Sequence, residues 1–130
     1  MTGFDETVLA AAEQEREIEL TTFGRVTTRP TSVVIWITPL DGKLYIRSGR
    51  GMGRDWTQNL AAHGKAVLNM AGMGVPVMAR HVTDLREAKA VTRACADKYG
   101  IDIATAPDDT PTPAETATFE VMPVGDWSSA

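Results

Sequence analysis

Residues 31–48 read TSVVIWITPLDGKLYIRS, and they decide the fold class. Thr31 to Thr38 is rich in β-branched residues and apolar at successive positions, which predicts one strand with both faces covered. Pro39-Leu40-Asp41-Gly42 reads as a hairpin turn, because Asp-Gly supplies the positive φ that a tight reversal needs. Leu44 to Ser48 is the returning strand, with Leu44 and Ile46 on one face and Tyr45 and Arg47 on the other.

Working outward, Gly24 to Pro30 is a polar, turn-rich link. Before it, Ile18, Leu20 and Thr22 alternate with Glu17, Glu19 and Thr21, a strand with one wet face. Asp5 reads as the cap of an N-terminal helix (segment 1–16, helical from Thr7 to Arg16), with Phe4 and Leu9 as a hydrophobic staple. After the hairpin, Gly49 to Gly53 is a basic loop. Asp55 and Gln58 suggest a capping box for a helix that Gly64 ends. Ala66 to Met70 and Val75 to Val82 form a second hairpin around Ala71 to Gly74, with Pro76 placing its strand at an edge or a bulge. Asp84 and Glu87 suggest another capping box. Leu85, Ala88, Val91, Cys95 and Tyr99 then form a helical apolar stripe stopped by Gly100. Residues 104–116 read as an exposed loop, and Thr118 to Met122 as a last strand. The sum is a mainly β chain with flanking helices (α+β), about six strands in antiparallel hairpins, which a small closed barrel satisfies.

The 130 residues suit a single domain spanning 1–130. Thirteen basic against seventeen acidic residues give a net charge of −4, which argues against a nucleic-acid binder working through bulk positive charge. One cysteine excludes an internal disulfide and any site needing two thiolates, and two separated histidines give no metal motif. The start, MTGFDETVLA, lacks the basic-then-apolar pattern of a secretion signal. The longest apolar run is far short of the roughly 20 residues that cross a bilayer. The expectation is a cytoplasmic protein without membrane or metal.

The chemistry concentrates in Arg47-Ser-Gly-Arg-Gly-Met-Gly-Arg54. Glycines let backbone N–H groups approach an anion, a helix start adds orphan donors, and arginine supplies a bidentate fork for phosphate. Arg47, Ser48, Arg50, Gly51, Gly53 and Arg54 are therefore candidate anion ligands, and Arg25 and Arg29 converge on them from the preceding turn. Trp36, Tyr45 and Trp56 offer flat apolar walls of the kind an isoalloxazine-like ring needs. Asn59, one turn past Trp56, either faces solvent or fixes the loop by hydrogen bonds.

Gly24-Arg-x-Thr-x-x-Pro30, the Trp36 strand, Leu-Tyr-Ile-Arg-Ser48 and above all Trp56-x-x-Asn-Leu-x-Ala62 followed by Ala66-Val-Leu resemble the split β-barrel flavin- and deazaflavin-binding family. Its members include pyridoxamine-phosphate-oxidase-like proteins and deazaflavin-dependent nitroreductases and quinone reductases. The resemblance covers roughly residues 17 to 123. It implies a six-stranded antiparallel split barrel and an 8-hydroxy-5-deazaflavin coenzyme, with FMN as runner-up. It implies hydride transfer to a small acceptor of quinone, nitro or enone type, and a homodimer. On matching positions Arg25 and Arg29 lie in the first phosphate turn. Ser48, Arg50, Gly51, Gly53 and Arg54 lie in the second, with Trp56 and Asn59 anchoring it. Thr31 and Gly64 depart from the family pattern, which has a basic residue and a proline there. They keep open a non-catalytic binding protein as the alternative.

Overall fold

The structure, a computed structural model, describes residues 4–100 and 109–124. The order is α1 (Glu6–Gln14), β1 (Ile18–Phe23), β2 (Pro30–Ile35), β3 (Thr38–Leu40), β4 (Lys43–Arg47), a 3₁₀ turn at Gly51–Gly53, α2 (Asp55–His63), β5 (Lys65–Met70), β6 (Met73–His81), α3 (Leu85–Tyr99), α4 (Pro113–Thr116) and β7 (Thr118–Pro123). The strands form one antiparallel sheet in the order β2-β1-β5-β6-β7-β4-β3, curled into a half-barrel of seven strands where the sequence suggested six.

The extra strand comes from the deciding stretch. The expected single strand 31–38 is broken after Ile35: β2 pairs with β1, whereas β3 pairs with β4. Ile37, at the break, has its backbone satisfied by side chains of α3. Its N–H donates to the Tyr99 hydroxyl at 3.2 Å and its carbonyl accepts from Lys98 Nζ at 2.7 Å. Buried backbone groups need partners, and here a helix supplies what a sheet ladder would. Pro39 is consequently in edge strand β3, opposite Leu44, where no further ladder donor is needed.

Both hairpin turns are two residues long. Asp41 and Gly42 have φ of 53° and 78°, and Ala71 and Gly72 have 51° and 75°, the double positive φ of a type I′ turn. Met73 and Gly74, expected in the second turn, thus belong to β6. Pro76 sits in this interior strand, opposite Val67, contrary to the edge or bulge expected. Its carbonyl accepts from Val124 N–H, so its missing N–H also faces the β7 side, where that strand has already ended, and the ladder to β5 is intact.

The inner face packs Leu20, Leu44, Ile46, Leu68, Val77, Phe119 and Val121 against Val8, Ala11 and Ala12 of α1 and Leu60 of α2. Each fully buried side chain of this size stabilises by roughly 1.5–3 kcal/mol. Asp5 caps α1 by accepting from Val8 N–H. Asp84 caps α3 through Arg86 N–H, but Glu87 does not complete a box; it bonds Arg80 and the Tyr45 hydroxyl instead. Among the described residues no helix is long and apolar enough to cross a membrane.

The segment expected as an exposed loop holds α4; its residues 104–108 lie outside the described residues. Thr112 and Glu115 form a complete capping box around Pro113. Glu115 is 3% exposed. It pairs with Lys89 at 2.8 Å and accepts from Thr92 Oγ1 at 2.7 Å. Burial alone would raise its pKa, but hydrogen bonds from Lys89, the Thr112 N–H and Thr92 hold it down at about 2. A depressed carboxylate contributes stability above its unfolded value near 4.5 that is lost as pH falls toward 2.

Gly64 explains one departure from the family pattern. It caps α2 at φ +78°, which proline cannot adopt, and an added Cβ would lie 2.9 Å from the Ala79 carbonyl oxygen. We expect Gly64→Ala to cost about 2 kcal/mol in urea unfolding, while Gly53→Ala, with open space at its Cβ, stays within about 0.5 kcal/mol of wild type. Equal midpoints for the two variants would refute the close-approach argument. Glu115→Gln should lose about 3 kcal/mol at pH 7, and its deficit against wild type should shrink at pH 3. A deficit unchanged between the two pH values would show that the Glu115 charge does not stabilise the fold.

Candidate ligand cleft

β2 and β3 are consecutive in the chain but occupy opposite edges of the curled sheet. A cleft of about 540 Å³ opens between Val33–Trp36 on one side and Thr38, Tyr45 and Arg47 on the other, a volume suited to a small organic ligand. Val91 and Cys95 of α3 and Ala114 of α4 also line it, together with Trp56. Three arginines, Arg47, Arg50 and Arg54, line this cleft, and among the described residues no carboxylate, lysine or histidine does.

Seven of the twelve residues singled out in the sequence meet here: Trp36, Tyr45, Arg47, Ser48, Arg50, Arg54 and Trp56. Trp36 stands at the rim, 38% exposed, stacked on Tyr99 with ring centroids 4.0 Å apart and planes 14° from parallel. Tyr99 is itself fixed, donating its hydroxyl to the Arg16 carbonyl at 2.6 Å. Trp56 is buried and tilted against Phe119. Tyr45 presents its ring, but its hydroxyl donates to Glu87 at 2.7 Å. Burial first, and then the hydrogen bond and charge of Glu87, raise that phenol well above its ordinary range.

Arg50 and Arg54 are exposed, and among the described residues neither pairs with a carboxylate. Ser48 is buried; its hydroxyl accepts from Arg50 N–H, which folds the loop back toward the cleft. Arg54, not Asp55, is the N-cap of α2, and no side chain caps it. Asp55 is the first helical residue and reaches Arg25 at 3.6 Å, while Gln58 donates to the Met52 carbonyl, so the expected capping box does not form. The uncapped first turn leaves its backbone N–H groups for solvent or an anion.

The remaining five residues do not line the cleft. Asn59, 4% exposed, accepts from both the backbone N–H and the guanidinium of Arg25 and donates to Thr22 Oγ1. It clamps the β1–β2 turn onto α2, the loop-fixing alternative of the two expected. Arg25 is thereby engaged away from the cleft, and Arg29 is exposed in the same turn. Gly51 is buried at φ +79° against Pro113, packing the loop on α4, and Gly53 faces open space. Sequence reasoning treated Cys95 and Val91 as core and missed Ala114. The helical stripe was the available signal for the first two, since a helix lying beside a split in a barrel turns part of its apolar face into cleft wall. His63 bridges the Phe23 carbonyl and the Lys65 N–H, and among the described residues no group of three His, Cys, Asp or Glu side chains is arranged to hold a metal.

The fold is shared with several solved structures. A proposed 5-nitroimidazole antibiotic resistance protein from Bacteroides thetaiotaomicron superposes with a TM-score of 0.67 at 12% identity, covering 97% of this chain and 83% of that one. A proposed pyridoxamine 5'-phosphate oxidase from Listeria innocua gives 0.60 at 14% identity over 92% and 90%. An F420-H2 dependent reductase, FDR-A, gives 0.59 at 13% identity over 83% and 94%. No curated protein sequence matches the chain. The family described as "Uncharacterized protein conserved in bacteria (DUF2255)" matches residues 8–121. The chain shares the split-barrel fold of these structures and belongs to the DUF2255 family.

Proposed function

We propose that the cleft binds a flavin-type cofactor, the 8-hydroxy-5-deazaflavin coenzyme first and FMN second, and that the protein is an oxidoreductase passing a hydride to a small organic acceptor of quinone, nitro or enone type. The observation that carries this reading is the joint lining of one cleft by three arginines and three aromatic rings, with no carboxylate among the described residues. A phosphate-bearing tail suits Arg50, Arg54, Ser48 and the uncapped start of α2, through bidentate forks and backbone donors. A flat ring suits Trp36, Tyr45 and Trp56. Asn59, Arg25, Arg29, Gly51 and Gly53 support the loops around these groups rather than touching the ligand.

When bound, the cofactor supplies the hydride. The protein's own residues orient it and exclude water. Tyr45 does not serve as the acid, because its proton is committed to Glu87; the proton that completes reduction of an acceptor comes from solvent. Among the described residues no carboxylate, lysine or histidine lines the cleft to act as acid or base, which favours the second reading, a binding protein without catalysis. A homodimer is part of the proposal: edge strand β2 leaves Val34 61% exposed beside the rim residue Trp36. So is a cytoplasmic location.

Titrating the purified protein with each cofactor while following tryptophan fluorescence tests the reading, because Trp36 and Trp56 line the cleft. We expect at least one to bind below about 100 μM, and Arg54→Ala to weaken it about tenfold while Arg93→Ala, on the exposed side of α3, leaves it unchanged. Binding of neither cofactor, or equal effects of the two variants, overturns it. Oxidation of the reduced deazaflavin by quinone, nitro or enone acceptors separates the enzyme from the carrier.

A further inference from the structure

We infer that Arg47 is a second anion-recognising point in the cleft, apart from the phosphate point at Arg50 and Arg54, and that it takes the electron-rich edge of the ligand's ring system. This deepens the proposed function and rests on it.

Arg47 stands two residues after Tyr45 on β4, on the same strand face and therefore at the aromatic part of the cleft. Its guanidinium is anchored from behind by α3: one terminal nitrogen donates to Thr92 Oγ1 at 2.8 Å and the other to the Ala88 carbonyl at 2.9 Å. Its Nε is buried and has no hydrogen-bond partner. Among the described residues no carboxylate is within ion-pair distance of it. The nearest acid by connection, Glu115, accepts from Thr92 and is already paired with Lys89.

A mostly buried charge without a counter-ion is costly, and native proteins rarely keep one that does nothing. The contrast with Arg80 is informative. That arginine, also beside α3, is held by both Glu87 and Glu120. Arg47 therefore combines a fixed position, a charge that no described carboxylate neutralises and a place in the cleft wall. Burial also weakens its hold on the proton, while the nearby thiol and Glu115 offset this in part. The partner missing on the protein side is an acceptor oxygen or nitrogen carrying negative charge, on a ring seated among Trp36, Tyr45 and Trp56. Arg47 is a binding residue whose effect grows with that charge, so it favours the form of the ring that carries more of it at this edge, the reduced one.

The test is the affinity of the oxidised and of the reduced form of whichever of FMN and the deazaflavin coenzyme binds the wild type. Binding of the reduced form should be the tighter, so that the bound cofactor's potential lies above that of the free one. In Arg47→Gln the preference for the reduced form should fall about tenfold, about 30 mV in the potential of a two-electron couple. Arg47→Lys, which keeps the charge, should retain most of the preference. Thr92→Val, which removes an anchor and not the charge, should change both affinities by the same factor. A purely bracing Arg47 would move both forms equally in every variant, and that result overturns the inference while leaving the cofactor reading intact. Should Arg47→Gln not fold, a wild-type potential at or below that of free cofactor decides against it. Failure of both cofactors to bind the wild type removes the inference together with the reading beneath it.

Discussion

The cleft exists because the backbone of Ile37 is satisfied by a helix. Tyr99 and Lys98 take its N–H and carbonyl, so the chain can leave β2, cross the open side of the barrel and begin β3 at the far edge without stranding buried polar groups. Lys98 extends the junction: its ammonium also donates to the Ala12 and Glu15 carbonyls, closing the otherwise unsatisfied end of α1. Three elements, α1, the crossover and the end of α3, are thus fastened at one point. Had β2 run on to Thr38 as an unbroken strand, there would be no gap for a ligand to enter, and Trp36 would not stand on Tyr99 at the rim.

Electrostatics divides the arginines by what they do. Arg80 is neutralised by two carboxylates and Arg25 is bound to Asn59 beside Asp55, so their charges serve the fold. Arg50 and Arg54 are exposed and pair with no described carboxylate, inexpensive in solvation and open to an anion. Arg47 is the intermediate case, buried enough for its charge to matter and paired with no described carboxylate. In a protein whose net charge is −4, gathering three such groups in a cleft that no described carboxylate lines produces a local positive field that the overall charge conceals.

Much of this was legible in the sequence. Alternation in residues 17–22 and 44–48, Asp-Gly at the first turn and Gly64 after α2 each report a local backbone preference, and local preferences survive into the fold. The Trp56 and Asn59 spacing also read through, because both side chains point inward from the same helix. What the sequence could not carry was long-range partnership. Nothing in TSVVIWIT marks the break at Ile37, since its partners lie about 60 residues later on α3. Likewise Asp55 and Glu87 fit capping boxes locally, but Arg25, Arg80 and Tyr45 offer charge-assisted bonds that outcompete a cap. The Thr112-x-x-Glu115 box was present in the segment taken as a loop. Its proline- and threonine-rich surroundings masked it, and only the buried Lys89 and Thr92 explain why so short a helix is retained.

Glu115 then links that short helix to the ligand cleft. Through Thr92 it is one hydrogen bond removed from Arg47, and through Lys89 it fixes the Thr110 carbonyl at the entry to α4. The same α4 contributes Ala114 to the cleft wall and seats Gly51 of the arginine-rich loop against Pro113. One buried carboxylate therefore braces both Arg47 and the arginine-rich loop without lining the cleft itself. A carboxylate in direct contact with Arg47 would neutralise the guanidinium; from one hydrogen bond away, Glu115 holds the anchor Thr92 without pairing with the charge itself.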